Sequence, residues 1–207
     1  QSMYDKGYVL ISLHKIAKME TQPDGTVQMV QQPIYLPRGK KPFVLSEDDV
    51  CYYEYMTGTG FATKLCLDEN GKVVNEYVER DGSVSYGSYD VLTVLEDFIE
   101  THPDFSYQGS KGILAFTGYD GILGYRTSDF WYNENCDYYV STPANDKEKR
   151  EDHTSPNKNI EQDKQTAREV AQAIRDLGWE LASHSWGHLN MTSTSYDHLV
   201  WDTDMWE

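Results

Sequence analysis

Apolar positions along this chain follow two different periods, and the alternation between them predicts its elements. Val91, Leu92, Val94, Leu95, Phe98 and Ile99 recur every three or four residues behind Tyr89-Asp90. That spacing lines one face of a helix over 89–101. Ala167, Val170, Ala171, Ile174 and Leu177 do the same over 165–177, and Gly178 stands where such a helix commonly ends. A third helix begins around Ser195. Between these segments lie short, nearly continuous apolar runs at 7–13, 41–46, 111–118 and 179–183. Runs of that length read as buried strands.

Turn residues divide the rest. Pro23-Asp24-Gly25-Thr26 joins strands at 18–22 and 27–31, with a turn of helix ahead of them from His14 to Met19. Asp68-Glu69-Asn70-Gly71 and Asp81-Gly82 separate strands at 65–67, 73–78 and 83–86, so 61–87 reads as a β-meander. A polar tract from 145 to 162, with alternating charges between Lys147 and Asp152, reads as a solvated loop. Strand, helix, strand, helix, strand is an order that favours parallel pairing. The expectation is an α/β fold in a single domain.

The chemistry concentrates where two of the apolar runs end. The run at 179–183 closes on His184-Ser185-Trp186-Gly187-His188, with two imidazoles four residues apart. The run at 41–46 closes on Glu47-Asp48-Asp49. Each motif has an ordinary alternative, since histidines pack in cores and paired aspartates cap the element that follows. Together they gain weight, because parallel strands deliver their carboxyl ends to one face of an α/β protein. Two histidines and one carboxylate can hold a divalent metal and leave a position open for water.

Composition narrows the partners. The 207 residues suffice for a substantial core. Lys and Arg number 18 against 34 Asp and Glu, a net charge of −16 that repels phosphate backbones and argues against nucleic acid. Glycans that are uncharged or carry amino groups are compatible. No apolar run approaches the roughly 20 residues that span a bilayer, and no secretory signal is visible at Gln1-Ser2-Met3-Tyr4-Asp5. Cys51, Cys66 and Cys136 form no close-spaced pattern, so they read as buried thiols. Tyr52, Tyr53, Tyr55, Trp131, Tyr132, Tyr138 and Tyr139 are candidate sugar-stacking rings, with packing as their default role.

The two motifs together resemble the polysaccharide deacetylases, carbohydrate esterase family 4, which includes the nodulation-type deacetylases. His184-Ser185-Trp186-Gly187-His188 matches that family's second motif, and Leu45-Ser46-Glu47-Asp48-Asp49 is similar to its first. Glu47 stands where the family has an aromatic residue, and Val50 where it has glycine. The resemblance implies a distorted (β/α) barrel and a divalent metal, usually zinc, held by Asp49, His184 and His188. It implies Asp48 as catalytic base and an acetylated polysaccharide as substrate, of chitin, peptidoglycan or acetylxylan type. Extracellular or cell-envelope placement follows from those substrates. The interval from Asp49 to His184 exceeds the family's usual one, so the meander at 61–87 and the loop at 125–160 read as insertions. The family's later motifs, an arginine segment, an Asp-Trp segment and a final histidine, are not matched. Asp202, Trp206 and His198 sit on the last helix and lack the strand context of those motifs. The resemblance therefore covers the amino-terminal half of a catalytic domain, and a barrel truncated there would expose an edge that invites self-association. The rival reading is a non-catalytic carbohydrate-binding module that keeps the deacetylase fold.

Overall fold

The computed structural model describes residues 1–132 and 157–206 of the chain. Cys136, Tyr138, Tyr139 and most of the polar tract lie outside the described residues, as does the side chain of Trp131. After a single turn of helix, α1 (Ser2–Asp5), come β1 (Tyr8–Leu10), the hairpin β2 (Ala17–Thr21) and β3 (Val27–Gln31), then β4 (Lys41–Phe43) and β5 (Ser46–Glu47). The meander is β6 (Ala62–Leu67), β7 (Val73–Val78) and β8 (Val84–Gly87). Helix α2 (Val91–Thr101) leads to β9 (Ile113–Phe116) and the short α3 (Asp129–Tyr132). Helix α4 (Ile160–Asp176), β10 (Glu180–Ser183) and α5 (Tyr196–Trp206) complete the order.

The class is mixed α/β, as the alternation of periods predicts. The strands form four small sheets, and among the described residues there is no closed barrel. Three strands run parallel in the order β10-β9-β5, with Glu47 opposite Leu114 and Ser183 opposite Phe116. A second parallel pair, β1 and β4, matches Leu10 with Phe43. The two parallel sheets nearly join, because β4 and β5 are separated only by Val44 and Leu45, and Ile113 N–H donates to Leu45 O at 3.0 Å. The meander and the hairpin are antiparallel.

One element departs from its sequence pattern. The turn of helix expected from His14 to Met19 is a single 3₁₀ turn, Leu13–Lys15, in which Ser12 accepts the His14 N–H. From Ala17 the chain is strand instead, held in a five-residue antiparallel register against Val27–Gln31. Pairing across the Asp24-Gly25 turn overrides the local preference.

Apolar faces meet where their spacing places them. Helix α4 buries Ala167, Val170 and Ile174, and Leu92 of α2, Leu114 and Phe116 of β9 and Trp179 pack in the same core. The meander contributes Leu65 and Val73 to that core, so it is integral to the packing. Leu177, placed on the helical face by its spacing, falls at the helix end and is 39 % exposed. Gly178 takes φ +95° and donates to Arg175 O, a left-handed ending that a residue with Cβ resists. Gly124, at φ +90°, lies so close to β6 that an added Cβ would stand 2.3 Å from Thr63 O. No helix among the described residues is long and apolar enough to cross a membrane.

Candidate metal centre

Strand β9 stands between the two motif-bearing strands, and this adjacency builds the site. Beyond β10, His184 N–H continues the ladder to Phe116 O at 2.7 Å. Beyond β5, Val50 N–H donates to Ala115 O at 3.2 Å. Asp49 and the two histidines therefore emerge at the same carboxyl edge. Asp49 Oδ1 lies 3.9 Å from His184 Nε2 and 3.6 Å from His188 Nε2, and the two imidazoles sit with centroids 5.1 Å apart. One donor atom from each of the three residues falls within 4.8 Å of the others.

The donor set fits a metal ion. Bonds of about 2.0–2.1 Å in a tetrahedral shell put neighbouring donors roughly 3.3–3.5 Å apart, so the separations seen need only small side-chain adjustment. Two nitrogens and one carboxylate suit zinc-like ions, and three protein donors leave a fourth position for water or substrate. The chain thus holds a possible metal-binding triad of Asp49, His184 and His188.

Backbone and neighbours hold the triad in place. Asp49, Ser185 and His188 adopt φ of +58°, +68° and +53°, a region that residues with side chains seldom enter. The 184–188 loop is tied by Ser185 N–H to Ser183 Oγ at 3.1 Å and by Leu189 N–H to Ser185 Oγ at 3.2 Å. On the other side, the Tyr53 hydroxyl donates to Asp49 Oδ1 at 3.1 Å and lies 3.0 Å from Thr117 Oγ1. Burial pushes the Tyr53 hydroxyl far above its ordinary range, so it remains a donor to the carboxylate at any working pH.

A cleft of about 460 Å³ adjoins Asp49. Glu47, Asp48, Tyr53, Tyr55, Phe61, Tyr89 and Asp90 line it, together with Tyr52, and among the described residues no Lys or Arg lines it. Asp48 is exposed there, 3.5 Å from Ser46 Oγ. Burial, reinforced by the nearby Asp90 carboxylate, pushes the Glu47 carboxyl up to about 7. Tyr55, Phe61 and Tyr89 are 46 %, 55 % and 45 % exposed, whereas Tyr53 stacks on Tyr55 at 5.6 Å.

The other aromatic candidates divide. Tyr52 is turned into the floor, where its hydroxyl donates to Asp90. Tyr132 is a packing residue, 5 % exposed, with its hydroxyl on Asp120 at 2.5 Å and Glu54 at 3.2 Å. His198 lies on α5 with its ring 5.3 Å from Trp201. Asp202, on the same helix, lacks the strand context of a catalytic motif, yet its carboxylate accepts from Trp186 N–H at 3.0 Å and Gly187 N–H at 2.6 Å. Both partners are backbone amides, so no residue type in the sequence signals that role. Comparison of the chain with protein-family models, curated proteins and solved structures finds no match.

Proposed function

We propose that this chain is a zinc-dependent deacetylase of N- or O-acetylated polysaccharide, in which Asp49, His184 and His188 hold the metal and Asp48 is the base. The observation that carries the reading is the convergence of Asp49 with His184 and His188 from two strand ends far apart in sequence. Zinc, when bound, supplies Lewis-acid activation of water and of the acetyl carbonyl. The chain's own residues supply a base, a positioning bond and a surface for the sugar. Asp48, beside the ligand carboxylate and exposed to the cleft, takes the proton of the attacking water. Tyr53 fixes the rotamer of Asp49, leaving Asp48 unencumbered by that bond. Exposed faces of Tyr55, Phe61 and Tyr89 offer apolar surface on which a sugar ring stacks.

The strand order supports the barrel form of the same reading. Taken across the short break between β4 and β5, the parallel strands follow one another in chain order, β1, β4/β5, β9, β10. A doubly wound sheet reverses its order at a switch point, whereas a barrel does not. In a flat sheet about 14 Å would separate β1 from β10. Yet Ser12 Oγ donates to Glu180 Oε1 at 3.0 Å and His14 Nε2 lies 3.0 Å from Glu180 Oε2, as a curled sheet would allow. Extracellular or envelope placement belongs to this proposal through its substrates.

Two measurements test it. Zinc content and affinity are compared in the wild-type chain and in His184→Ala/His188→Ala, and equal binding in both would defeat the metal assignment. Acetate release from acetylated chitooligosaccharides and acetylxylan is then followed for wild type and Asp48→Asn. Loss of turnover with zinc retained is the expected result, and unchanged turnover removes Asp48 as base. Glu47 and Val50, standing in place of an aromatic residue and a glycine, favour the non-catalytic module as second reading. Glycan binding with no acetate release would select it.

A further inference from the structure

Asp202 is a buried acidic side chain bonded to the loop that carries the two histidines, at 3 % exposure. A carboxylate out of water costs several kcal/mol unless its oxygens are satisfied, so its burial needs a reason. The reason is the loop between the two histidines. Oδ2 accepts from Trp186 N–H and Oδ1 from Gly187 N–H, two successive amides turned toward one anion. The contact is close at Gly187, where an added Cβ would lie 2.9 Å from Oδ1 and force the carboxylate to shift. The same peptide is held from the opposite side, where Gly118 N–H and Tyr119 N–H both donate to Trp186 O at 3.0 Å. The Trp186 ring packs edge-on against Trp201, the neighbour of Asp202, at 5.4 Å. His188, at φ +53°, follows directly on this clamped peptide, while His184 is fixed by its own bond to β9.

We propose that Asp202 is a positioning residue for His188, and that its carboxylate sets the spacing of the two imidazoles and with it the affinity of the triad for a divalent cation. The inference rests on the metal reading given above. Asp202 touches no cation itself; it acts through two backbone amides. Asp202→Asn keeps the shape but turns an NH₂ toward one of those amides. Gly187→Ala displaces the carboxylate without altering its charge, and stands in should Asp202→Asn fail to fold. Val170→Ala, in the core on α4, is the matched control, since it lowers stability without touching the loop.

The experiment titrates each purified chain with Zn²⁺ by calorimetry and records the visible spectrum of its Co²⁺ form. Thermal midpoints and amide exchange at 186–188 are measured in the metal-free chains. Expected is a loss of about 10–100-fold in Zn²⁺ affinity for Asp202→Asn and Gly187→Ala. A changed Co²⁺ spectrum and faster exchange at 186–188 should accompany it, whereas Val170→Ala lowers only the midpoint. Wild-type affinity and spectrum in both loop variants would overturn the inference, and so would an affinity loss in Val170→Ala equal to theirs. Wild-type Zn²⁺ binding no stronger than that of His184→Ala/His188→Ala would instead defeat the metal reading. In that event the exchange data alone decide whether Asp202 orders the loop, with unchanged exchange counting against it.

Discussion

Asn75 is the most informative single residue to perturb. It is fully buried on β7 and joins the meander to the start of α2. Its Oδ1 accepts from Tyr89 N–H at 3.0 Å and Thr93 Oγ1 at 2.6 Å, and its Nδ2 donates to Asp90 Oδ2 at 2.5 Å. Asp90 occupies the N-cap position of α2 without making a side-chain cap bond, because its carboxylate is engaged by Asn75 and Tyr52. Asn75→Ala removes these three hydrogen bonds and a longer fourth, from Nδ2 to the Tyr52 hydroxyl at 3.4 Å, worth about 1 kcal/mol each at most, and it leaves buried donors without those acceptors. With the void added, the expected loss is about 3–5 kcal/mol, a large part of the roughly 5–15 kcal/mol that hold a domain together. Asn75→Asp keeps the two acceptor bonds but sets a second carboxylate against Asp90. Its loss should match the alanine variant at pH 7.5 and shrink toward pH 4.5, where one proton shared by the pair relieves the repulsion. Urea unfolding followed by tryptophan fluorescence, in chelator, measures both. An alanine variant that loses under about 1 kcal/mol, or an aspartate variant as stable as wild type at pH 7.5, refutes the reasoning.

Three further outcomes are expected. Glu47 keeps its proton up to about 7 in the fold, against 4.5 for the free side chain, so the folded state binds more protons between those values. Stability then falls as pH rises through that window, by about 1–2 kcal/mol after discounting for the partial exposure of the carboxyl. Glu47→Gln should recover that amount at pH 8 and little at pH 4.5 in metal-free urea titrations, and no gain at pH 8 would count against it. Gly118→Ala would place a Cβ 2.6 Å from Trp186 Cδ1 and 3.3 Å from Trp206 Cε3, a clash expected to cost about 1–3 kcal/mol. An unchanged thermal midpoint and near-ultraviolet tryptophan signal would contradict it. Cys51 is fully buried, and burial pushes its thiol up to about 12, so aromatic disulfide reagents at pH 8 should label it only as the chain unfolds. Peptide mapping that finds fast native labelling of Cys51 would overturn that.

What the sequence disclosed, it disclosed through local regularity. Helices α2 and α4 carry their apolar residues at helical spacing, and the strands of the meander are divided by Asn-Gly and Asp-Gly turns, so short windows suffice for both. The triad was legible for a similar reason, since its members sit directly after the buried runs and adjacency of β5, β9 and β10 brings them together. The hairpin of 18–22 with 27–31 is legible from its Pro23-Asp24-Gly25-Thr26 turn, and only the junction at Ala17–Met19, where a helical turn is expected from His14, is strand instead. Asp202 escaped because its two partners are backbone amides, which leave no trace in residue type. The sequence marks Tyr53 only as a ring; that its hydroxyl meets Asp49 depends on the left-handed turns at Asp49 and Tyr52. Whether parallel strands curl toward a barrel is set by tilt and stagger across the sheet, which periodicity does not encode.

The same bonds bear on how a cation would enter. Left-handed backbone at Asp49, Ser185 and His188 costs on the order of 1–3 kcal/mol per residue, and such conformations persist only where their surroundings over-determine them. Here the surroundings are identifiable: Tyr53 on Asp49, Ser183 on Ser185, Asp202 on the Trp186–Gly187 amides, and β9 between the two strand ends. These contacts are all made within the protein, so the three donors are brought together by the fold itself. A site built this way differs from small zinc modules in which the metal supplies the folding energy. Binding to it adds to stability only by mass action, about 2.7 kcal/mol at a hundredfold excess of free cation over its dissociation constant. The chelated chain should therefore remain folded, with the triad's geometry resting on Tyr53 and Asp202.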